Sequence, residues 1–215
     1  MAAIRMPLTW SEFQPDPYHA SNSCLRDLEV VMNTCAALRL RLLPVVFSKP
    51  EGGPASPPWA GPASEAVVEA QLRMLEVLAG YFRGHRALFG WELDARAGES
   101  REAGWRTDIL PSLRRWDARH LLVLGIDHSN LIGDGRAALE AVGPDVDLIL
   151  VRLRGDRSEA VRAASVVRRL VQKRVLLAMQ GPPVDDVLAD HVEWMPRAGI
   201  SGVFVPGPET KIEGL

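Results

Sequence analysis

Apolar, β-branched segments alternate with amphipathic segments along almost the whole chain. This alternation is typical of βα units that build a parallel sheet. Seven strands are predicted, at residues 4–10, 41–47, 88–94, 121–126, 147–153, 174–179 and 202–205. We therefore expect an α/β fold in which helices connect parallel strands.

Between the predicted strands, apolar residues recur at spacings of three and four, the period of one helix face. The four clearest stripes are Leu25, Leu28, Val31, Cys35 and Leu38; Val68, Leu72, Leu75, Ala79 and Phe82; Ile109, Leu113 and Trp116; and Val161, Ala164, Val167 and Val171. Ser21 and Ser23 are candidates to cap the first helix. Two weaker helices are predicted at residues 136–142 and 184–195. Each stripe is expected to face the sheet.

Composition and charge exclude several classes of function. The 215 residues are 47% hydrophobic and 24% charged, which is ordinary for a globular protein, so we expect one domain over residues 1–215. The formal net charge is -2 and the arginines are scattered, so a nucleic-acid partner is not expected. No segment reaches the ~20 apolar residues of a bilayer span, and the N-terminus lacks the apolar core of a secretory signal. We expect no membrane association and a cytoplasmic location.

The sequence also gives no support for metal or disulfide chemistry. Cys24 and Cys35 lie in one predicted helix, which separates them by roughly 16 Å and puts them beyond disulfide reach. They are interpreted as packing residues. The histidines and cysteines show no HxxxH or CxxC spacing, so neither a metal nor a cofactor is predicted.

Residues 49–62 are rich in proline and glycine, which excludes regular structure and makes this connection longer than an ordinary βα loop. In a barrel, such a loop lies on the C-terminal face of the strands, where active sites are built. A surface loop without a function is the alternative. The turn after the first predicted strand, LTWSEFQPDP, contains no glycine. Dinucleotide binding on an open doubly wound sheet therefore loses its main support.

Seven segments, taken in order, resemble the strand regions of cellulase-type family 5 glycoside hydrolases. They are IRMPLTWSEFQPDP, LRLRLLPVVF, LFGWELDARAG, WDARHLLVLG, VDLILVRLRG, KRVLLAMQG and AGISGVFVPG, which are similar to the second to eighth strands of that family. The resemblance covers essentially the whole chain, and the order and spacing of the segments carry it. It implies a TIM (β/α)8-type barrel that is incomplete, with seven strands and with the first βα unit and the last helix missing.

An incomplete barrel has an open seam, flanked here by the first and last predicted strands. Unpaired strand edges invite pairing with another chain. Three explanations fit an open seam, and the sequence does not rank them. They are a truncated reading frame, a wrongly assigned start codon and a homo-oligomer formed through the seam.

In the family that the chain resembles, hydrolysis uses two carboxylates about 5 Å apart. One is an acid/base Glu after the fourth strand and the other is a nucleophilic Glu after the seventh. The resemblance places Arg96 at the first position and Met179 at the second. An Arg stays protonated at neutral pH and cannot exchange a proton, so it cannot replace the acid/base.

The loss of the nucleophile is robust to alignment error, because a shift by one residue gives Gln180 and residues 174–181 contain no Asp or Glu. The loss of the acid is less secure. Glu92, Asp94 and Glu99 are close enough that a slip or a bulge brings one of them into place.

Several side chains are expected at the C-terminal rim of the strands and are candidates for substrate binding. They are Trp10, Trp59, Trp91, Glu92, Asp94, Asp127 and Arg152. Tryptophan rings suit stacking on pyranose faces, although aromatic rings also build ordinary cores.

Charged residues at this rim have two interpretations. Arg152 and Arg154 stand where the family shows a His and a Tyr, and Arg152 with Arg96 would make the pocket cationic, with Glu92 and Asp94 as ion-pair partners. Alternatively, these arginines form salt bridges around a plugged barrel mouth. Asp127 and His128 form a further pair, in which a carboxylate could orient a base.

Three functions stay open. The first is a non-hydrolytic relative of these glycosidases that acts as a carbohydrate-binding or scaffold domain, because both catalytic Glu positions are replaced. The second is an active hydrolase of β-linked glycans that uses displaced carboxylates such as Asp94 and Asp185. The third is a different barrel enzyme with an anionic substrate. The missing nucleophile favours the first, and so a protein that is not an enzyme.

Overall fold

The computed structural model describes residues 2–48, 57–60, 65–94, 108–132, 145–153, 157–179 and 195–205. The strands within them are β1 (Ala3–Thr9), β2 (Arg41–Ser48), β3 (Gly90–Asp94), β4 (Leu121–Asp127), β5 (Leu148–Leu153), β6 (Arg174–Met179) and β7 (Ile200–Phe204). All seven predicted strands are confirmed, with ends that differ from the predicted ones by at most two residues.

The described helices are α1 (Trp10–Phe13), α2 (Asn22–Ala37), α3 (Glu65–Phe82), α4 (Leu110–Trp116), α5 (His128–Ile132) and α6 (Arg157–Val171). The weaker helices predicted at residues 136–142 and 184–195 lie outside the described residues, apart from Met195. No described helix is both long enough and apolar enough to cross a membrane.

The strands follow one another in the sheet in chain order, from β1 to β7. Each pair whose register is described is parallel, and these pairs are β1 with β2, β2 with β3, β3 with β4, and β6 with β7. Parallel neighbours require crossover connections, which the intervening helices provide. Because β1 and β7 end the sheet, each has a neighbouring strand on one side within the described part of the chain. That a second copy of the chain covers such an edge stays a prediction.

Contacts between Cα atoms divide the chain into two compact units. The first comprises Met1–Gly125 and Ala141–Leu148, and the second comprises Ile126–Glu140 and Ile149–Leu215. That the chain acts as a single domain stays a prediction.

In the first unit, α2 begins where the sequence predicts. The Ser21 side chain accepts a hydrogen bond from the backbone N–H of Cys24 at 3.3 Å and so caps the helix. The buried stripe consists of Leu25, Leu28, Met32 and Cys35. The predicted stripe was wrong at Val31, which is half-buried, and at Leu38, which is 64% exposed. The helical period leads from Leu28 to Met32 four residues later, and Leu38 follows the last turn as the C-cap.

Helix α3 buries a broader face than predicted. Leu75, Ala79 and Phe82 are buried as expected, whereas Val68 and Leu72 are only half-buried. The additional buried positions are Val67, Ala70, Gln71, Met74 and Leu78. The face is wide because α3 also packs against α4 and receives the Gln14 side chain at the Ala70 carbonyl oxygen.

In the second unit, α6 packs against β6, and β6 pairs with β7. The predicted stripe of α6 is confirmed at Ala164 and Val167, while Val161 and Val171 are half-buried. Gly199, just before β7, has a φ of +76° and lies under the Arg168 side chain. A side chain at this position would strain the backbone, so glycine is favoured here.

Gly90 sets the spacing between β3 and β4, because it pairs with Leu121. A Cβ at Gly90 would overlap the carbonyl oxygen of Leu121, which is backbone and cannot move aside alone. We expect Gly90→Ala to lower the free energy of unfolding by about 2 kcal/mol, as urea denaturation would show.

Gly80 on α3 provides the matched control for this substitution. It is exposed, and an added Cβ would meet nothing within 4 Å. Gly80→Ala should therefore raise the free energy of unfolding by about 0.5–1 kcal/mol. If both substitutions stabilised the protein, close approach of β3 and β4 at Gly90 would be refuted.

Candidate functional site

Glu92 is a fully buried carboxylate at the middle of β3. Its exposed fraction is 0%, and it accepts two hydrogen bonds from Arg5 of β1. Arg5 Nε lies 2.6 Å from Oε2, and Arg5 Nη2 lies 2.7 Å from Oε1. Bidentate pairs of this kind are among the stronger hydrogen-bonded contacts in proteins. The pair spans β2, which lies between β1 and β3 in the sheet, and it engages both oxygens of the carboxylate.

Trp91 precedes Glu92 and points to the opposite side of the strand, as alternation in β-structure requires. Its indole Nε1 donates to Oδ2 of Asp117 at 2.9 Å, and its exposed fraction is 0%. The ring of Trp91 is therefore a core element that offers no free face to a sugar in this conformation.

Asp117 organises the connection between α4 and β4. Its carboxylate accepts from the indole of Trp91, from the His120 ring at 2.8 Å and from the backbone N–H groups of Arg119 and His120. Burial opposes ionisation of this carboxyl group, but the hydrogen bonds from Trp91, His120 and Arg119 outweigh burial and lower its pKa. The network fixes Trp91 of β3 to the chain that enters β4.

Trp10 is also buried, with 2% of its surface exposed. Its Nε1 donates to Oε1 of Gln14 at 2.8 Å, and its ring packs edge-on against Phe47 with the centroids 5.2 Å apart. Gln14, itself buried, donates from Nε2 to the Ala70 carbonyl oxygen at 2.8 Å. Trp10 and Gln14 thus join the end of β1 to α3.

The end of β2 is locally irregular beside Trp10. Phe47 has a φ of 61°, in the left-handed region that a residue with a bulky side chain rarely adopts. At the same level the register between β1 and β2 shifts between Pro7 and Thr9. The Ser48 hydroxyl donates to the Leu8 carbonyl oxygen at 2.9 Å and holds the two strands together there.

Trp59 is the half-buried member of the three predicted tryptophans. Its Nε1 donates to the backbone oxygen of Gln14 at 3.0 Å, and its ring lies edge-on to Trp10 at 5.7 Å. The four described residues 57–60 of the long loop therefore lie beside the segment that follows β1. The structure brings Trp59 and Trp10 together and leaves part of Trp59 open to solvent.

In the second unit, Asp127 and Arg152 form an ion pair. They lie at the end of β4 and near the end of β5, and Arg152 Nε donates to Oδ1 of Asp127 at 2.7 Å. The side chain of Arg152 is 2% exposed and that of Asp127 is 22% exposed. The predicted rim residues of this unit therefore contact each other directly.

The catalytic positions implied by the resemblance are described only in part. Met179 is the last residue of β6 and is half-buried, and β6 contains no carboxylate. Asp94 ends β3 and pairs with Gly125, but its side chain is outside the description. Arg96, Gln180 and Asp185 lie outside the described residues. Among the described residues, no three His, Cys, Asp or Glu side chains are arranged to hold a metal ion.

Arg5 and Asp117 were not among the predicted site residues. For Arg5 the sequence does contain a signal, because it is a charged residue within a mostly apolar predicted strand. A charged side chain that is buried in a sheet needs a partner of opposite charge. For Asp117 the signal is its place in the segment WDARH, directly after a predicted helix. Aspartate side chains at such positions often accept hydrogen bonds from the backbone N–H groups two and three residues later and so stabilise a turn.

Several solved structures share the fold seen here, and three of them serve as examples. The exo-β-1,4-mannosidase Op5Man5 from Opitutaceae bacterium strain TAV5 superposes with a TM-score of 0.77 at 19% identity, over 94% of this chain and 45% of that chain. XacCel5A in complex with cellopentaose gives 0.72 at 14% identity, over 100% and 79%. GH5_18 from Streptomyces cattleya in complex with Manβ1-4GlcNAc gives 0.71 at 16% identity, over 94% and 60%.

These likenesses confirm the fold class, since the seven parallel strands with intervening helices match part of the barrel of these enzymes. The chain spans less than half the length of the mannosidase and between 60% and 79% of the other two. No protein-family model matches the sequence, and no curated protein matches it either. At these identities the likeness defines the fold, and the chemistry must be argued from the residues.

Proposed function

We propose that this chain is a carbohydrate-binding or scaffold domain built on a glycosidase barrel and that it does not hydrolyse its ligand. The observation that carries the proposal is the Arg5–Glu92 pair. A glycosidase acid must deliver a proton from a carboxyl oxygen to the leaving group. Both oxygens of Glu92 instead accept hydrogen bonds from Arg5, and the side chain is fully buried. Glu92 is therefore unsuited to replace the acid/base Glu whose position Arg96 occupies.

The second support is the end of β6. The family resemblance places the nucleophile at Met179, and a thioether carries no negative charge with which to stabilise an oxocarbenium-like transition state. Asp127, the carboxylate at the end of β4, is paired with Arg152. Glu92 and Asp127 are thus each held by an arginine of their own unit.

The proposed ligand is a β-linked oligosaccharide. Cellopentaose and Manβ1-4GlcNAc are bound in two of the structures that share the fold. In this chain Trp59, backed by Trp10, offers aromatic surface beside the C-terminal end of β1. We propose Trp59 as the main stacking residue, with Asp94 as a polar contact. Asp127 and Arg152 stay candidates for sugar contacts within the second unit. Trp10, Trp91 and Glu92 support the site from within the core.

An active hydrolase is the alternative, with Asp94 and Asp185 as displaced carboxylates. Asp94 favours it, because it ends β3 close to the position of the family's acid. An enzyme for anionic substrates finds less support, because Arg5 and Arg152 each have a carboxylate within 2.7 Å that offsets their charge.

Binding can be tested by isothermal titration calorimetry with cellopentaose and mannopentaose. We expect binding without release of shorter sugars, and Trp59→Ala should weaken it roughly five- to tenfold through loss of a stacking face. Trp116→Ala is the matched control, since Trp116 is also half-buried but lies at the end of α4. Absence of binding by the wild-type chain, or equal weakening by both substitutions, would contradict the proposal.

A further inference from the structure

Tyr18 is an exposed aromatic residue in the segment that connects α1 and α2. Its exposed fraction is 71%, among the highest of the large hydrophobic residues in the described part of the chain. An exposed ring by itself indicates little, because isolated apolar residues on a surface are common. The contacts that hold this ring in place distinguish it.

The backbone on either side of Tyr18 is fixed by side chains. The Tyr18 N–H donates to Oδ1 of Asp16 at 2.8 Å, and the same oxygen accepts from the His19 N–H at 2.9 Å. The Pro17 carbonyl oxygen accepts from Nε of Arg73 on α3 at 3.2 Å. Three hydrogen bonds therefore restrain residues 17–19, although the tyrosine side chain is open to solvent.

The ring itself is held by a cation. The guanidinium carbon of Arg73 lies 5.7 Å from the centroid of the Tyr18 ring, within the range of a cation–π contact. The His19 ring lies 6.4 Å away at an angle of 70°, which is an edge-on arrangement. Because 71% of Tyr18 remains exposed, Arg73 and His19 cannot cover both faces of the ring. One face of a preorganised aromatic ring is open.

The surroundings of Tyr18 are polar, which favours a sugar over an apolar protein partner. The side chains that contact the residue are Asp16, His19 and Arg73, all of which can form hydrogen bonds. Protein interfaces are marked instead by contiguous apolar patches. A pyranose presents polarised C–H groups on one face, which suit the negative face of an aromatic ring, and hydroxyl groups around its rim, which suit polar neighbours.

Tyr18 is also continuous with the tryptophan site. Gln14 accepts from Trp59 at its backbone oxygen and donates from Nε2 to the Pro17 carbonyl oxygen at 3.5 Å. The segment from residue 14 to residue 18 therefore links Trp59, beside the end of β1, to Tyr18, which lies over α3. Tyr18 is therefore a candidate for a further contact of a glycan that stacks on Trp59.

We propose that Tyr18, held by Arg73 and Asp16, is a peripheral stacking subsite for a second pyranose of the same β-linked oligosaccharide. This inference rests on the proposed carbohydrate-binding function and adds to it a dependence on ligand length. Short sugars occupy the Trp59 site alone. Longer sugars gain the contact with Tyr18, so affinity rises with the number of sugar units.

The chain offers a direct test, because it contains only two tyrosines. Tyr81 is 64% exposed and is therefore a matched control, but it lies near the end of α3 and packs against Phe82. Protein labelled with ¹³C in the tyrosine rings gives two sets of ring signals, which Tyr18→Phe and Tyr81→Phe assign. We expect cellopentaose or mannopentaose to shift the Tyr18 signals and to leave those of Tyr81 in place.

Affinity measurements complete the test. Tyr18→Ala should weaken pentasaccharide binding roughly fivefold and leave disaccharide binding unchanged, while Tyr18→Phe keeps the wild-type affinity because stacking needs the ring and not the hydroxyl. Suppose that pentasaccharide binding depends on Trp59, but the Tyr18 signals do not shift and Tyr18→Ala binds as well as the wild type. This result would overturn the subsite and leave the proposed function intact. Equal shifts of both tyrosines would also overturn the subsite. Failure of every sugar to bind would overturn the proposed function together with it.

Discussion

Arg5→Met is expected to lower the free energy of unfolding by about 3 kcal/mol, because it leaves the buried carboxylate of Glu92 without its bidentate partner. The Glu92 side chain is 0% exposed and that of Arg5 is 23% exposed. Water can therefore reach the guanidinium in part, which places the effect at the lower end of the range for buried pairs. Urea denaturation of the purified variant, with the midpoint and slope fitted together, measures it.

The double variant Arg5→Met with Glu92→Met provides the control. Replacing both members of a buried pair by apolar residues is often neutral or stabilising, so we expect the double variant to recover most of the lost stability. A double-mutant cycle then gives a large favourable coupling between the two positions. Additive losses from the two single substitutions would show that Arg5 and Glu92 do not act as a pair.

Asp117→Ala is expected to lower the free energy of unfolding by a similar amount, about 3 kcal/mol. The substitution removes the acceptor for the buried indole N–H of Trp91 and for two backbone N–H groups, and an unsatisfied buried donor carries a penalty of about 1–3 kcal/mol. Asp145→Ala is a suitable control, because Asp145 is a half-buried aspartate whose contact with Arg114 uses its backbone oxygen. Equal small effects of both substitutions would contradict a structural role for the Asp117 carboxylate.

The same carboxylate predicts a pH dependence of stability. Its folded-state pKa is lowered from the ordinary value of 3.8, so its ionised form stabilises the fold above the pKa of the unfolded chain. This contribution is lost as the pH falls through the lowered pKa. Asp117→Asn does not titrate at this position, so the advantage of the wild-type protein over this variant should shrink below about pH 4. A difference in the free energy of unfolding between the two proteins that stays constant down to pH 2 would refute this pH dependence.

The strands could be predicted closely from the sequence because each is a short apolar run between amphipathic helical segments. The apolar runs and the helical period between them are both clear in the sequence. The helix stripes were predicted less accurately. Val31 and Leu38 are apolar residues at helical spacing, yet Met32 takes the buried position and Leu38 is exposed after the last turn. Spacing alone does not fix which of two neighbouring apolar residues faces the core.

The site could be predicted only in outline. Trp10, Asp127 and Arg152 lie at or next to strand ends, as their sequence positions indicate, and their role in binding stays a prediction. Sequence position did not reveal that Trp10 and Trp91 are buried, because burial depends on Gln14 and Asp117, which arrive from other parts of the chain. The ion pairs could not be predicted for the same reason. Arg5 and Glu92 are 87 positions apart, and no local pattern links them.

Turnover is the measurement that tests the absence of hydrolysis most directly. The purified chain should be assayed against aryl β-glucoside, β-mannoside and β-cellobioside substrates, with Asp94→Asn and Asp185→Asn prepared in parallel to detect a contaminating glycosidase. We expect no release of the aryl group by any of the three proteins, while the wild-type chain binds cellopentaose or mannopentaose. Turnover by the wild-type chain that either substitution abolishes would show an active hydrolase with displaced carboxylates and would refute a non-hydrolytic binding domain.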